Sequence, residues 1–188
     1  MRKYLDIDLS SHSTAVKEIG GEDVIVVGRH LIAKTLLESG VAAVDPLGAS
    51  NPLIFSAGPF AGSNFSNANR LSVGCKSPLT GGIKEANSGG TFGFAMGQLE
   101  ISGITFHGAS EEWVNIYITK EGEIKYEDAS PYLRKGNFEV AKLLFENYGE
   151  KVSLGICSPV GEYGGLLAGI SFTDPEQRPT RIAARGGV

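Results

Sequence analysis

Cysteine is scarce in this chain of 188 residues, which contains only two. Cys75 and Cys157 lie far apart and form no C-x-x-C pair, so there is no signal for a zinc site or a redox dithiol, although a long-range disulfide stays open. We expect both to be buried thiols. Because a [4Fe–4S] cluster uses four thiolates, two cysteines cannot supply its ligands.

Long apolar runs are also missing, and none approaches the roughly 20 residues that a membrane-spanning helix needs. The first eight residues contain no apolar segment typical of an export signal. The formal net charge of −4 argues against a nucleic-acid surface, which normally needs a clustered basic excess. We therefore expect a cytoplasmic protein that binds neither membranes nor nucleic acids.

Histidine is rare as well, and His12, His30 and His107 show no spacing typical of metal ligands. Ordinary core or surface roles are favoured for all three over a metal or catalytic role. Likewise, no carboxylate pair in the chain signals general acid–base catalysis. We assign no catalytic residue to this chain.

Glycine, in contrast, is abundant, with 26 residues, about twice the usual share. Many lie between Arg70 and Gly90, where Arg70 and Lys76 would add positive charge at one edge. Glycines let a backbone approach a ligand closely and turn its N–H groups toward anionic oxygens, so this segment predicts a cofactor cradle. Tight turns in a β-rich domain are the simpler explanation for glycine clusters alone. A nucleotide-binding loop is excluded, since neither G-x-x-x-x-G-K-[ST] nor G-x-G-x-x-G occurs.

Hydrophobic periodicity predicts short strands mixed with a few helices. Helical spacing predicts helices over 30–39 and 137–148. Alternating or short apolar segments predict strands over 5–9, 52–57, 71–75, 151–158 and 166–172, and a hairpin over 114–126. Without regular βαβ alternation, the chain is predicted to form a single α+β domain over 1–188, with mainly antiparallel sheets and two or three helices.

Several segments form an ordered series of motifs along nearly the whole chain. They are G-R-H-L-I-A at 28–33, V-D-P-L at 44–47, N-P-L-I-F-S-A-G-P at 51–59, R-L-S-V-G-C-K-S-P-L-T-G-G at 70–82, N-S-G-G-T-F-G at 87–93 and R-I-A-A-R-G-G-V at 181–188. This series resembles the N-terminal domain of the aldehyde ferredoxin oxidoreductases, anaerobic enzymes that hold tungsten on a pair of pterins. Two positions of the last motif depart from the family pattern, Ile182 for alanine and Ala184 for glycine, and the second predicts a different local turn.

The resemblance implies a site for two pyranopterins whose sulfurs bind tungsten and whose phosphates are bridged by Mg²⁺, with this domain as a β-rich base. It places Arg70 beside the pterin, between that ligand and the iron–sulfur cluster. The backbone carbonyls of Asn87 and Ile182 would ligate Mg²⁺, which prefers hard oxygen ligands. The neighbouring residues expected to donate to phosphate are Ser88, Gly89, Arg181, Ala183 and Arg185.

The resemblance also implies a function that this chain cannot perform alone. We interpret it as the small subunit of a heterodimeric tungsten enzyme that oxidises aldehydes to carboxylic acids and passes electrons through a [4Fe–4S] cluster to ferredoxin. The cluster cysteines would lie in a large catalytic subunit, which covers an apolar face around Arg70, Asn87 and Arg181.

Other interpretations stay open at this point. The chain could be a fragment of a longer polypeptide, or a non-catalytic scaffold that binds the pterin or the large subunit during assembly. A domain for an unrelated phosphate ligand is a third hypothesis. Neither the aldehyde nor the choice between tungsten and molybdenum follows from the sequence.

Overall fold

Three β-sheets and four α-helices make up the part of the chain that the computed structural model describes, residues 1–184 and residue 187. The sheets contain six, three and two strands. The predicted α+β class is therefore confirmed.

The six-stranded sheet is the framework of the fold. Its strands are β1 (Arg2–Asp8), β2 (Ser13–Ile19), β3 (Leu53–Ala57), β4 (Leu71–Lys76), β5 (Ile83–Ser88) and β6 (Ile101–His107). They are arranged in the order β2-β1-β6-β3-β4-β5. All neighbours are antiparallel except β1 and β6, which run parallel. The prediction of mainly antiparallel sheets is confirmed, and β5 lies at one edge.

The two smaller sheets come from the second half of the chain. Strands β7 (Val114–Ile118) and β8 (Ile124–Asp128) form the predicted antiparallel hairpin. Strands β9 (Gly155–Cys157), β10 (Ile170–Phe172) and β11 (Arg181–Ala183) form the three-stranded sheet, with β10 in the centre. The strands predicted over 151–158 and 166–172 are shorter than expected. The second begins late because residues 166–167 form a turn, in which the Ala168 N–H donates to the Gly165 carbonyl at 3.0 Å.

Four helices accompany the sheets. They are α1 (Arg29–Glu38), α2 (Phe92–Gln98), α3 (Asn137–Tyr148) and the single turn α4 (Pro159–Glu162). Short 3₁₀ helices cover Gly21–Ile25, Val41–Ala43 and Ser130–Tyr132. Helix α1 ends before Gly40, whose left-handed φ of +63° is typical of a glycine that terminates a helix. None of the helices in the described part is long and apolar enough to cross a membrane.

The six-stranded sheet is covered on both faces. On one face α1 packs so closely that a methyl group added to Gly74 would lie 2.4 Å from Ile32 Cγ2. On the other face Phe55 makes edge-on ring contacts with Phe92, Phe106 and Phe172 at centroid distances of 5.8, 5.3 and 5.6 Å. Such aromatic pairs contribute about 0.5–1.5 kcal/mol each beyond their area burial. This cluster attaches α2 and the three-stranded sheet to the framework.

The two cysteines are free thiols in different environments. Cys75 is buried in β4, as predicted, and burial raises its pKa to about 11. Cys157 is exposed at the end of β9, so the prediction of a buried thiol was wrong there. Its strand lies at the outer edge of the three-stranded sheet, and its Sγ lies beside Gly161, where partial burial raises the pKa of the thiol.

Candidate cofactor-binding site

Two sheet edges meet at the candidate site. Among the described strands, β5 is hydrogen-bonded only to β4 and β11 only to β10, so each presents one free backbone edge. The Ser88 hydroxyl donates to the Arg181 carbonyl across the gap at 3.0 Å. Edge strands leave backbone carbonyl and N–H groups unpaired. The junction can therefore offer main-chain groups to a ligand from both sides.

An arginine and an asparagine are joined beside this junction. Arg70, just before β4, donates from Nε to Asn87 Oδ1 at 2.7 Å. Asn87 Nδ2 donates to Ser72 Oγ at 3.1 Å and to Glu85 Oε1 at 3.3 Å. Neither Nη group of Arg70 donates a hydrogen bond to another described residue. The guanidinium can therefore turn both groups toward an anion.

The two glycines that follow Ser88 are required for different reasons. A methyl group on Gly89 would lie 3.3 Å from Arg70 Nη1, so this glycine leaves room for the guanidinium. Gly90 has a φ of +98°, and a methyl group there would lie 2.3 Å from the Thr173 carbonyl oxygen. The backbone N–H of Thr91 donates to that same oxygen at 2.9 Å. The glycine pair thus combines an open ligand-side surface with a tight contact to β10.

A buried carboxylate shapes the loop between β10 and β11. Asp174 is 1% exposed and accepts from the backbone N–H of Glu176 and of Arg178 at 3.0 and 2.9 Å. Its other oxygen accepts from Arg178 Nε at 3.0 Å and Thr180 Oγ1 at 2.9 Å. Burial alone would raise the pKa of Asp174, but the hydrogen bonds and the charge of Arg178 outweigh it and hold the pKa well below its usual range. This loop leads directly into Arg181.

The structure brings most of the predicted site residues together. Those at the junction are Arg70, Asn87, Ser88, Gly89, Arg181 and Ile182. Ala183 is fully buried in the core beneath them. Arg185 lies outside the described residues.

Lys76 does not belong to this site, and the prediction of a shared basic edge was wrong. It lies at the opposite end of β4 from Arg70, and its Nζ donates to the carbonyls of Ala42 and Val44 at 2.8 and 2.7 Å. The ammonium therefore closes the 3₁₀ turn after α1. Its charge is satisfied within the protein.

Lys84 is a buried cation that the sequence analysis missed. It lies opposite Cys75 in the β4–β5 ladder, and among the described residues its Nζ has no hydrogen-bond partner. Burial lowers its pKa. Every second residue of β5 faces inward, namely Lys84, Ala86 and Ser88, and this alternation could have identified the strand. It was not recognised because two of these three inward residues are polar.

Large apolar side chains are exposed close to the junction. Ile182 is 56% exposed in β11, and Leu166 and Leu167 are exposed in the turn before β10. On the other side, in the loop that leads to Arg70, the exposed rings of Phe60 and Phe65 stack at 5.5 Å. Single exposed apolar residues are normal on a protein surface, whereas a contiguous group of them is typical of interaction sites.

Comparisons with known proteins identify the family of this chain. Residues 4–188 match the family model described as aldehyde ferredoxin oxidoreductase, N-terminal domain. The chain is 35% identical to the tungsten-containing aldehyde ferredoxin oxidoreductase of Pyrococcus furiosus and 34% identical to that of Thermococcus kodakarensis. Each match covers 99% of this chain and 30% of the relative, so the chain spans less than a third of these relatives' length.

A solved structure shares the fold. The match is to a chain of the active site complex BamBC of benzoyl coenzyme A reductase in complex with 1,5 dienoyl-CoA, with a TM-score of 0.88 and 26% sequence identity. It covers 98% of this chain and 28% of the other. The family model, the curated relatives and the shared fold lead to one conclusion. This chain belongs to the aldehyde ferredoxin oxidoreductase family, as an N-terminal domain of that family.

Proposed function

We propose that this chain is the small, cofactor-binding subunit of a tungsten-pterin oxidoreductase that converts aldehydes to carboxylic acids. The observation that carries the proposal is the junction of β5 and β11, where the Arg70–Asn87 pair lies beside two free backbone edges. The relatives named as tungsten-containing enzymes support the choice of metal and reaction. Bound there, the tungsten bis-pterin would supply the two-electron redox chemistry.

The residues present fit the phosphate and magnesium end of such a cofactor. The open Nη groups of Arg70 suit an oxyanion of the bound cofactor, and the bare backbone of Gly89 leaves room for the guanidinium. Backbone carbonyls of Asn87 and Ile182, on facing edge strands, are hard oxygen ligands of the kind Mg²⁺ accepts together with phosphate and water. The backbone of Ser88, Arg181 and Ala183 and the side chain of Arg185 would complete the anion site.

A larger partner would supply what this chain lacks. We propose a large catalytic subunit that carries the four cysteines of a [4Fe–4S] cluster, passes electrons to ferredoxin in the cytoplasm and makes the complex active. The exposed Ile182, Leu166 and Leu167 would be covered by it.

Native purification with metal analysis tests the proposal. We expect the chain to co-purify with a larger cysteine-bearing polypeptide, tungsten and magnesium, and an Arg70→Ala variant to retain much less tungsten. Lys142→Ala, which removes another exposed cation far from the junction, is the matched control. A metal-free monomer would contradict the enzyme-subunit function. A stable complex with the large partner but no metal would instead support the assembly scaffold.

A further inference from the structure

Glu85 connects the candidate site to helix α1. It lies in β5 two residues before Asn87, with its side chain only 14% exposed. One carboxylate oxygen accepts from Asn87 Nδ2 at 3.3 Å, and the other lies 3.4 Å from Arg29 Nε at the start of α1. The carboxylate is thus held between an amide and a guanidinium.

The orientation of the Asn87 amide decides what Arg70 can do. Asn87 Oδ1 accepts from Arg70 Nε, while Nδ2 faces the two acceptors, Ser72 Oγ and Glu85 Oε1. Turning the amide over would place an NH₂ group against a guanidinium N–H and a carbonyl against a carboxylate. Ser72 Oγ and Glu85 Oε1 therefore hold the NH₂ group of Asn87 on their side, which keeps Asn87 Oδ1 directed toward Arg70.

We propose that Glu85 is a positioning residue for Arg70 and acts through Asn87. By holding the amide, it keeps Arg70 Nε engaged and turns the Nη groups toward an oxyanion at the junction. This inference rests on the proposed function, because it assumes that Arg70 binds an oxyanion of the ligand at the junction. Neither the family's motifs nor the charge pattern of the sequence assigns Glu85 a role.

Electrostatics alone predicts the opposite sign for loss of this carboxylate. A negative charge near an anion site weakens anion binding, so removing an idle carboxylate would strengthen it. A positioning role predicts that removal weakens binding despite the gain in local positive charge. The direction of the effect therefore separates the two roles.

The test measures the affinity of magnesium pyrophosphate, which presents two phosphates and the divalent ion, for the full chain by calorimetry. We expect Glu85→Ala to weaken binding by about fivefold, the factor that corresponds to loss of one hydrogen bond's contribution. Glu85→Gln, made in an Arg29→Ala background so that no guanidinium competes for the single amide oxygen, keeps an acceptor for Asn87 without the charge and should bind within about twofold of the Arg29→Ala protein. Glu123→Ala, which removes an exposed carboxylate on the distant hairpin, is the control.

Equal or tighter binding by Glu85→Ala would overturn the inference, and so would an equal loss in Glu85→Gln relative to the Arg29→Ala protein. In an Asn87→Ala background, Glu85→Ala should have no further effect, and an additive loss would also contradict the proposed route.

An NMR measurement separates this inference from the proposed function. The Arg70 Nε–H signal should shift in Glu85→Ala and return in Glu85→Gln made in the Arg29→Ala background. If Arg70→Ala leaves pyrophosphate binding unchanged, the anion site itself fails. The Glu85 inference is then tested by the Arg70 Nε–H signal alone, and an unchanged signal in Glu85→Ala overturns it.

Discussion

Lys76 and Lys84 lie on opposite faces of neighbouring strands and are each only 8% exposed, but their ammonium groups differ in hydrogen bonding. Lys76 Nζ donates to two backbone carbonyls, while Lys84 Nζ has no hydrogen-bond partner among the described residues. A buried charge costs stability unless it is paired or hydrogen-bonded. The two lysines, although equally buried, should therefore have opposite effects on the free energy of unfolding. Lys76 should raise it and Lys84 should lower it.

Methionine substitutions at these two positions test that difference. Lys84→Met removes an uncompensated charge and should raise the free energy of unfolding by about 1 kcal/mol. Lys76→Met leaves the Ala42 and Val44 carbonyls without their donor and should lower it by about 2 kcal/mol. Urea denaturation of the two variants and the parent chain measures both. Equal destabilisation by the two substitutions would show that Lys84 has a partner in solution.

The stability difference between the parent chain and Lys84→Met should depend on pH. Because burial lowers the pKa of Lys84, the folded state binds fewer protons than the unfolded state between the folded pKa and about 10.4. The cost of the charge is thus fully present below the folded pKa and disappears as the pH rises toward the unfolded value. The stability advantage of Lys84→Met should narrow as the pH rises from the lowered folded-state pKa of Lys84 toward its unfolded value of about 10.4. A constant difference would contradict the lowered pKa.

The thiols should react in two separate steps. Cys157 is exposed and should be labelled by a disulfide reagent in the folded protein, whereas Cys75 is buried with a pKa of about 11. The thiolate is the reactive form, so Cys75 should react only after unfolding. Thiol titration at pH 8 should count one group in the native protein and two in denaturant. Cys157→Ser should abolish the native reaction, and any fast reaction left in that variant would contradict the burial of Cys75.

Alanine at the two adjacent glycines should separate binding from stability. At Gly89 the new methyl group would press on the Arg70 guanidinium, so we expect weaker binding of magnesium pyrophosphate with a stability change below about 1 kcal/mol. At Gly90 it would collide with the Thr173 carbonyl at a positive φ, which should cost about 3 kcal/mol or more. Calorimetric binding and urea denaturation distinguish the two. Similar losses of stability would show that Gly89, too, is structural.

Local pattern was enough where a strand or helix buries a clearly apolar face. Helix α3 begins and ends where its helical spacing predicted, and the β7–β8 hairpin follows its alternation of apolar and polar residues. Strand β5 escaped because its inward residues are Lys84, Ala86 and Ser88. Helix α2 escaped because glycines interrupt it at Gly93 and Gly97. Those glycines are demanded by neighbours distant in sequence, the Asn69 and Ala61 carbonyls.

The residues of the candidate site, too, were predicted only in part from the sequence. Arg70, Asn87 and Arg181 were assigned to the site through the resemblance of the motif series to the family, because those motifs keep their order and spacing along the chain. The motifs also placed Lys76 at the site wrongly, because sequence periodicity does not show which backbone carbonyls a lysine at the end of a strand contacts. Glu85 could not be identified at all from the sequence, since its role depends on contacts with Asn87 and with Arg29 of a separate helix.

By itself, the amino-acid sequence determined the α+β class, because hydrophobic periodicity is local, and the family, because an ordered series of motifs resembles it. The site residues were predicted through that resemblance. Only the tertiary structure decided which charges are free and which are satisfied. That depends on partners brought together from distant segments, as when Ser88 meets Arg181 or Lys76 meets the turn after α1. Hydrogen bonds of this kind form in three dimensions and leave no periodic trace in the chain.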